Sequence, residues 1–109
     1  MSTNALLTCR ASNGQQIAAR LHFDGYPERV LPILQAHYLE PESVESLIAL
    51  GEIRCFDDET GDAESYTDAA PPLKIQRSNL VLSVALKRGM SHVYIFDENQ
   101  WHHVAVLSN

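Results

Sequence analysis

The chain has 109 residues, 45% of them hydrophobic and 20% charged, with 14 carboxylates against 8 Lys and Arg for a net charge of −6. A chain of this length buries roughly 60–70% of its unfolded surface around one core, and its apolar residues come in short bursts between Gly, Pro, Asn and Asp. Both observations exclude wholesale disorder and point to a single domain over residues 1–109. No apolar run approaches the ~20 residues of a bilayer span, and Met1 to Leu7 lacks the basic start and long apolar stretch of a secretory signal, so the expected location is the cytoplasm.

In chain order, residues 5–11 and 16–23 flank Ser12-Asn13-Gly14 and read as a β-hairpin, with Asn13-Gly14 expected to supply positive φ angles. Asp24-Gly25-Tyr26-Pro27 follows, where Asp24 can cap, Gly25 can turn, Tyr26 can pack and Pro27 can start a helix. Val30, Leu31, Leu34, Ala36, His37 and Tyr38 fall at helical spacing, giving a helix from Pro27 or Leu31 to Leu39 with Pro32 expected in its first turn. A second helix starts at Pro41, carries the stripe Val44, Leu47, Ile48 and stops at Gly51. After the short run Ile53–Phe56, residues 57–72 hold six carboxylates, a Gly and two Pro and read as a long acidic loop. Leu73–Gln76 can be extended, and Ser78 is expected to cap a third helix over Asn79–Arg88. A second hairpin is expected from His92–Phe96 and Trp101–Leu107, with Tyr94 and Trp101 as core or cross-strand partners. The expected fold is α+β, in the order β-β-α-α-(acidic loop)-α-β-β, with two antiparallel hairpins packed against about three helices.

Residues that could carry chemistry are sparse. His102 and His103 are strand neighbours that point to opposite faces, and among His22, His37, His92, His102 and His103 only a His22–Asp24 pair has ligand-like spacing. Zinc sites need three or four ligands, so no metal and no cofactor is expected. Cys9 and Cys55 lack a CxxC spacing and read as buried free thiols. Gly-x-Ser-x-Gly, phosphate-loop and calcium-loop patterns are missing, and the dense carboxylates sit on a Gly-interrupted segment rather than on rigid elements. No catalytic residue is expected. The rival reading is a small hydrolase or metal- or ligand-binding protein using His22 and Asp24.

Charge is the strongest signal. Residues 40–68 hold ten carboxylates (Glu40, Glu42, Glu45, Glu52, Asp57, Asp58, Glu59, Asp62, Glu64, Asp68) and one base, Arg54, a balance of −9; the rest of the chain, with four acids and seven bases, is +3. Such a segment repels nucleic acid and attracts basic protein surfaces. Fully extended, residues 57–68 would space their charges ~6–7 Å apart, against one per ~3.4 Å along a DNA strand. The loop alone is then too sparse to imitate DNA, and a DNA-mimicking surface requires Glu40, Glu42, Glu45 and Glu52 to share its surface.

One pattern carries a resemblance. His22-Phe23-Asp24-Gly25-Tyr26-Pro27-Glu28, followed by His37-Tyr38, Leu47-Ile48-Ala49-Leu50-Gly51, the strand His92–Phe96 and Trp101, resembles small phage-encoded proteins with an H-x-D-G-Y-P-E motif. The chain also resembles an anti-CRISPR protein, an inhibitor of a type I-C system. That resemblance implies a small monomer that binds a basic DNA-binding groove of a CRISPR surveillance complex and blocks target DNA with its ten carboxylates, without catalysis. Another basic host factor is the alternative partner. The resemblance lapses at Arg29-Val30-Leu31-Pro32, where members often carry Gly-Val-Gly.

Overall fold

Ala5–Arg10 (β1) and Gln16–Leu21 (β2) form the expected first hairpin, Ala5 opposite Leu21 and Arg10 opposite Gln16, in a computed structural model that describes residues 3–106. Its turn uses one left-handed residue, Gly14 at φ +87°, rather than Asn13 and Gly14 together. Asn13 contributes its side chain: Oδ1 accepts the Gln15 N–H at 2.9 Å. A short loop closed by a left-handed glycine keeps the strands at their natural twist.

Helices α1 (Pro27–His37) and α2 (Pro41–Ala49) each begin on a proline, whose missing N–H costs nothing in a first turn. Pro32, however, lies inside α1 and not in its first turn, because the helix starts at Pro27. It is exposed, so its ring and lost hydrogen bond disturb only the solvent side. Asp24 does not cap: the residue flanking α1 is Tyr26, which makes no side-chain cap bond, and Asp24 itself takes φ +56°. Gly25 is required for close approach, since a Cβ there would lie 2.8 Å from the Thr3 carbonyl oxygen and 2.9 Å from Ala5 Cβ.

Residues 57–72 are not one loop. Glu52–Phe56 (β3) turns back into Ala63–Ser65 (β4), and Leu73–Ile75 (β5) pairs antiparallel with β2. Exposed Glu64 and Ser65 give β4 no apolar alternation, as suits a charged edge strand, so its sequence resembles a loop. Ser78 opens a 3-10 turn (Ser78–Leu80) without a side-chain cap bond, and α3 proper spans Val81–Lys87. His92–Asp97 (β6) and Gln100–Ala105 (β7) form the second hairpin through Glu98 and Asn99, at φ +52° and +60°. Leu107, at the expected end of that hairpin, lies outside the described residues.

The two hairpins do not pack as separate units. They merge through parallel pairing of β1 with β6 into one mixed seven-stranded sheet of order β4-β3-β2-β1-β6-β7, with β5 on β2. Parallel pairing needs a crossover, and β5–α3–β6 supplies it. Ala5, Leu7, Ile17, Ala19, Leu21, Tyr94 and Trp101 belong to a core with α1 and α2, whereas Leu6, Ala18 and Val93 belong to a second core with Val81, Ala85 and Met90 around α3. The central strands are covered on both faces, which is why β1 reads as an unbroken apolar run. The fold is α+β with three α-helices among the described residues, richer in strand than the sequence indicates. Among the described residues no helix is long and apolar enough to cross a membrane. Both cysteines are free, but only Cys9 is buried; Cys55 is half-buried on β3, between the edge strand β4 and β2.

Candidate functional site

The β3–β4 turn gathers carboxylates into a small, tightly braced volume. Asp57 builds it: its Oδ1 accepts the N–H groups of Glu59 at 2.9 Å and Thr60 at 2.8 Å, and its own N–H donates to the Asp62 carbonyl at 2.9 Å. The backbone donors of Thr60 and Glu59 hold the Asp57 carboxyl below its ordinary value. Gly61 closes the turn at φ +74° against the His37 ring, where a Cβ would stand 2.2 Å from Cδ2. Tyr38 donates its hydroxyl proton to the Gly61 carbonyl at 2.7 Å, and Arg29 donates to the Phe56 carbonyl at 2.8 Å while pairing with Asp58. The turn is therefore bolted to both ends of α1. Burial first, and then the nearby Asp62 charge, push the Tyr38 phenol up, so it stays a donor at neutral pH.

A hairpin folds the segment back on itself, and Asp57, Asp58, Asp62 and Glu64 line one groove together with Arg29. Glu59 is exposed at the tip. Glu64 pairs with Arg54 at 3.0 Å, and its carboxyl is lowered by that guanidinium.

The other sequence-selected carboxylates fall elsewhere. Glu52 and Asp68 line a second groove with His22 and Tyr66, where Glu52 Oε1 lies 3.7 Å from Arg20 Nε and 3.4 Å from His22 Nε2. The Ala70 N–H, donated to Glu52 Oε2 at 2.8 Å, is the largest cause of that carboxyl's lowered pKa. Glu42 and Glu45 line a third groove with Ser12, whose N–H Glu45 accepts at 2.8 Å. No residue of the β3–β4 hairpin lines it. Glu40 is the exposed residue that flanks α2. Glu42 and Glu45 thus line a groove other than that of the acidic turn.

His22 faces Glu52 and meets Tyr66 edge-on at 5.3 Å between ring centroids, and no hydrogen bond joins it to Asp24 among the described residues. No group of three or more His, Cys, Asp or Glu among them could hold a metal ion. Sequence reasoning missed one histidine pair. The hairpin register places Tyr94 opposite His103, and His92 Nδ1 lies 2.8 Å from His103 Nε2. Tyr94, fully buried, donates to the Gly25 carbonyl at 2.6 Å, so this cluster anchors the Asp24–Pro27 turn to the sheet. Only the register of the Glu98-Asn99 turn would have revealed it.

No protein-family model, curated protein or solved structure matches this chain.

Proposed function

We infer that the protein is a non-enzymatic inhibitor whose acidic β3–β4 turn docks into the basic groove of a nucleic-acid-binding protein and excludes nucleic acid from it. The supporting observation is the braced cluster of Asp57, Asp58, Glu59, Asp62 and Glu64, which projects carboxylates from a rigid two-stranded edge. A preformed anionic turn loses little conformational entropy on binding and attracts a basic groove at long range. The partner class rests on the motif at His22–Glu28: a CRISPR surveillance complex, whose target-DNA channel must be basic. Occlusion needs no proton transfer and no cofactor. A single copy suffices, because the turn belongs to one chain.

The braced geometry also decides which residues to reverse. Asp57 holds the turn and Asp58 pairs with Arg29, so changing either mixes folding with binding. Glu59 and Asp62 are exposed and their carboxylates enter no ion pair among the described residues. Reversing both to Lys should preserve the circular-dichroism spectrum and lower affinity for the surveillance complex at least tenfold, with the loss shrinking as salt screens the wild-type contacts. Equal inhibition by the folded double variant would remove the acidic turn from the mechanism.

A further inference from the structure

At the carboxyl ends of the parallel strands β1 and β6, away from the acidic turn, a cleft of about 260 Å³ opens between the sheet and the start of α3. Arg10, Gln16, Ser78, Val81, Ile95 and Asp97 line it. Thr8 stands opposite Ile95 in the parallel register, so Arg10 and Asp97, one pleat further along, project from the same face of neighbouring strands. Both are exposed, and neither enters an ion pair or a side-chain hydrogen bond among the described residues.

The floor of the cleft is polar and its chemistry is fixed. Gln16 keeps 8% of its accessible surface, and its Nε2 donates to Thr8 Oγ1 at 2.8 Å. Thr8 spends its only hydroxyl proton on the Ile17 carbonyl at 2.7 Å, so it can only accept from Gln16. The Gln16 amide must therefore present its NH2 to Thr8, which leaves Oε1 without a donor among the described residues. An anion-binding guanidinium, a cation-binding carboxylate and a free carbonyl acceptor converge beside apolar Val81 and Ile95. Crevices at the carboxyl ends of parallel strands are where open sheets with crossover helices bind ligands.

We propose that this cleft binds a free α-amino acid with an apolar side chain, Arg10 holding its carboxylate, Asp97 and Gln16 Oε1 its ammonium, and Val81 and Ile95 its side chain. The volume lies just under the roughly 300 Å³ at which ligand pockets usually begin, which suits an amino acid and excludes a nucleotide. The full chain should be titrated with L-valine, L-leucine, L-isoleucine and L-methionine up to about 10 mM, following backbone amide NMR shifts. At least one should give saturable shifts at Gln16, Val81 and Ile95. L-leucinamide, lacking the carboxylate, and N-acetyl-L-leucine, lacking the ammonium, should bind at least tenfold more weakly than L-leucine, as should L-leucine to Arg10→Ala and Asp97→Ala. The analogues use the unaltered protein, so a misfolded variant leaves the test intact. No saturable shift with any of the four, shifts confined to other residues, or equal binding of the two analogues would overturn the proposal.

Discussion

Gly51 does two things that no other residue could do in its place. It adopts φ +79° to end α2, and a Cβ would stand 2.0 Å from the Ala70 carbonyl oxygen, so the chain after β4 can lie directly over it. That close approach also seats Pro71, whose carbonyl accepts from Arg20 Nη2 at 3.0 Å. Gly51→Ala should lower unfolding free energy by more than about 2 kcal/mol, whereas Gly14→Ala, strained only in φ with open space around it, should cost about 1 kcal/mol. Urea denaturation of the two variants checks the contrast, and equal losses would deny the contact with Ala70. The stop at Gly51 was legible in the sequence, but its second role depends on a segment nineteen positions later and was not.

His92 offers a second test at this scale. Burial, followed by the neighbouring His103, holds its imidazole below the ordinary value of 6.5, with Glu28 acting in the opposite direction and the Tyr94 ring packed alongside. The unfolded chain then takes up a proton that the folded chain refuses, so acid favours unfolding. Stability is complete above pH 6.5 and falls as the pH drops below it, until the native ring itself protonates. Carboxylates such as Glu52, lowered from 4.5, contribute their own loss only at more acidic pH. Urea midpoints should therefore hold steady above about pH 7 and decline between about pH 6.5 and pH 5, and the decline should flatten in His92→Gln. A midpoint unchanged across that range would exclude the histidine pair as a source of pH sensitivity.

Among the elements, the β3–β4 hairpin is where sequence and structure part company. Helices α1 and α2 announce themselves through an opening proline, an apolar stripe and, for α2, a terminal glycine. The edge strand β4 has only three residues, two of them exposed, and its pairing with β3 is fixed by Tyr38, Arg29 and Asp57 rather than by hydrophobic alternation. Its ordering rests on long-range contacts that no local pattern encodes. Asp57→Ala should leave the fold's circular dichroism intact while hydrogen exchange at Glu59, Thr60 and Gly61 accelerates by at least tenfold relative to β1 and β6 amides. Protection unchanged at those three amides would mean that the backbone alone holds the turn.

Across the whole molecule, the division of charge survives folding in a narrower form. The −9 segment of residues 40–68 was visible in the sequence, as was the α+β class. Hidden from it were the separation of Glu42 and Glu45 from the acidic turn, and the neutralising partners Arg20, Arg29 and Arg54 that three of the ten carboxylates acquire. What remains is a compact anionic turn on the sheet edge rather than a continuous ten-residue strip. Competition for a labelled target duplex tests that reading most directly: fluorescence anisotropy of the duplex on a type I-C surveillance complex, titrated with the intact protein. The expected result is full displacement of DNA, with the required protein concentration rising in proportion to added DNA. A ternary complex in which protein and duplex bind together, or no binding of the protein at all, would contradict it.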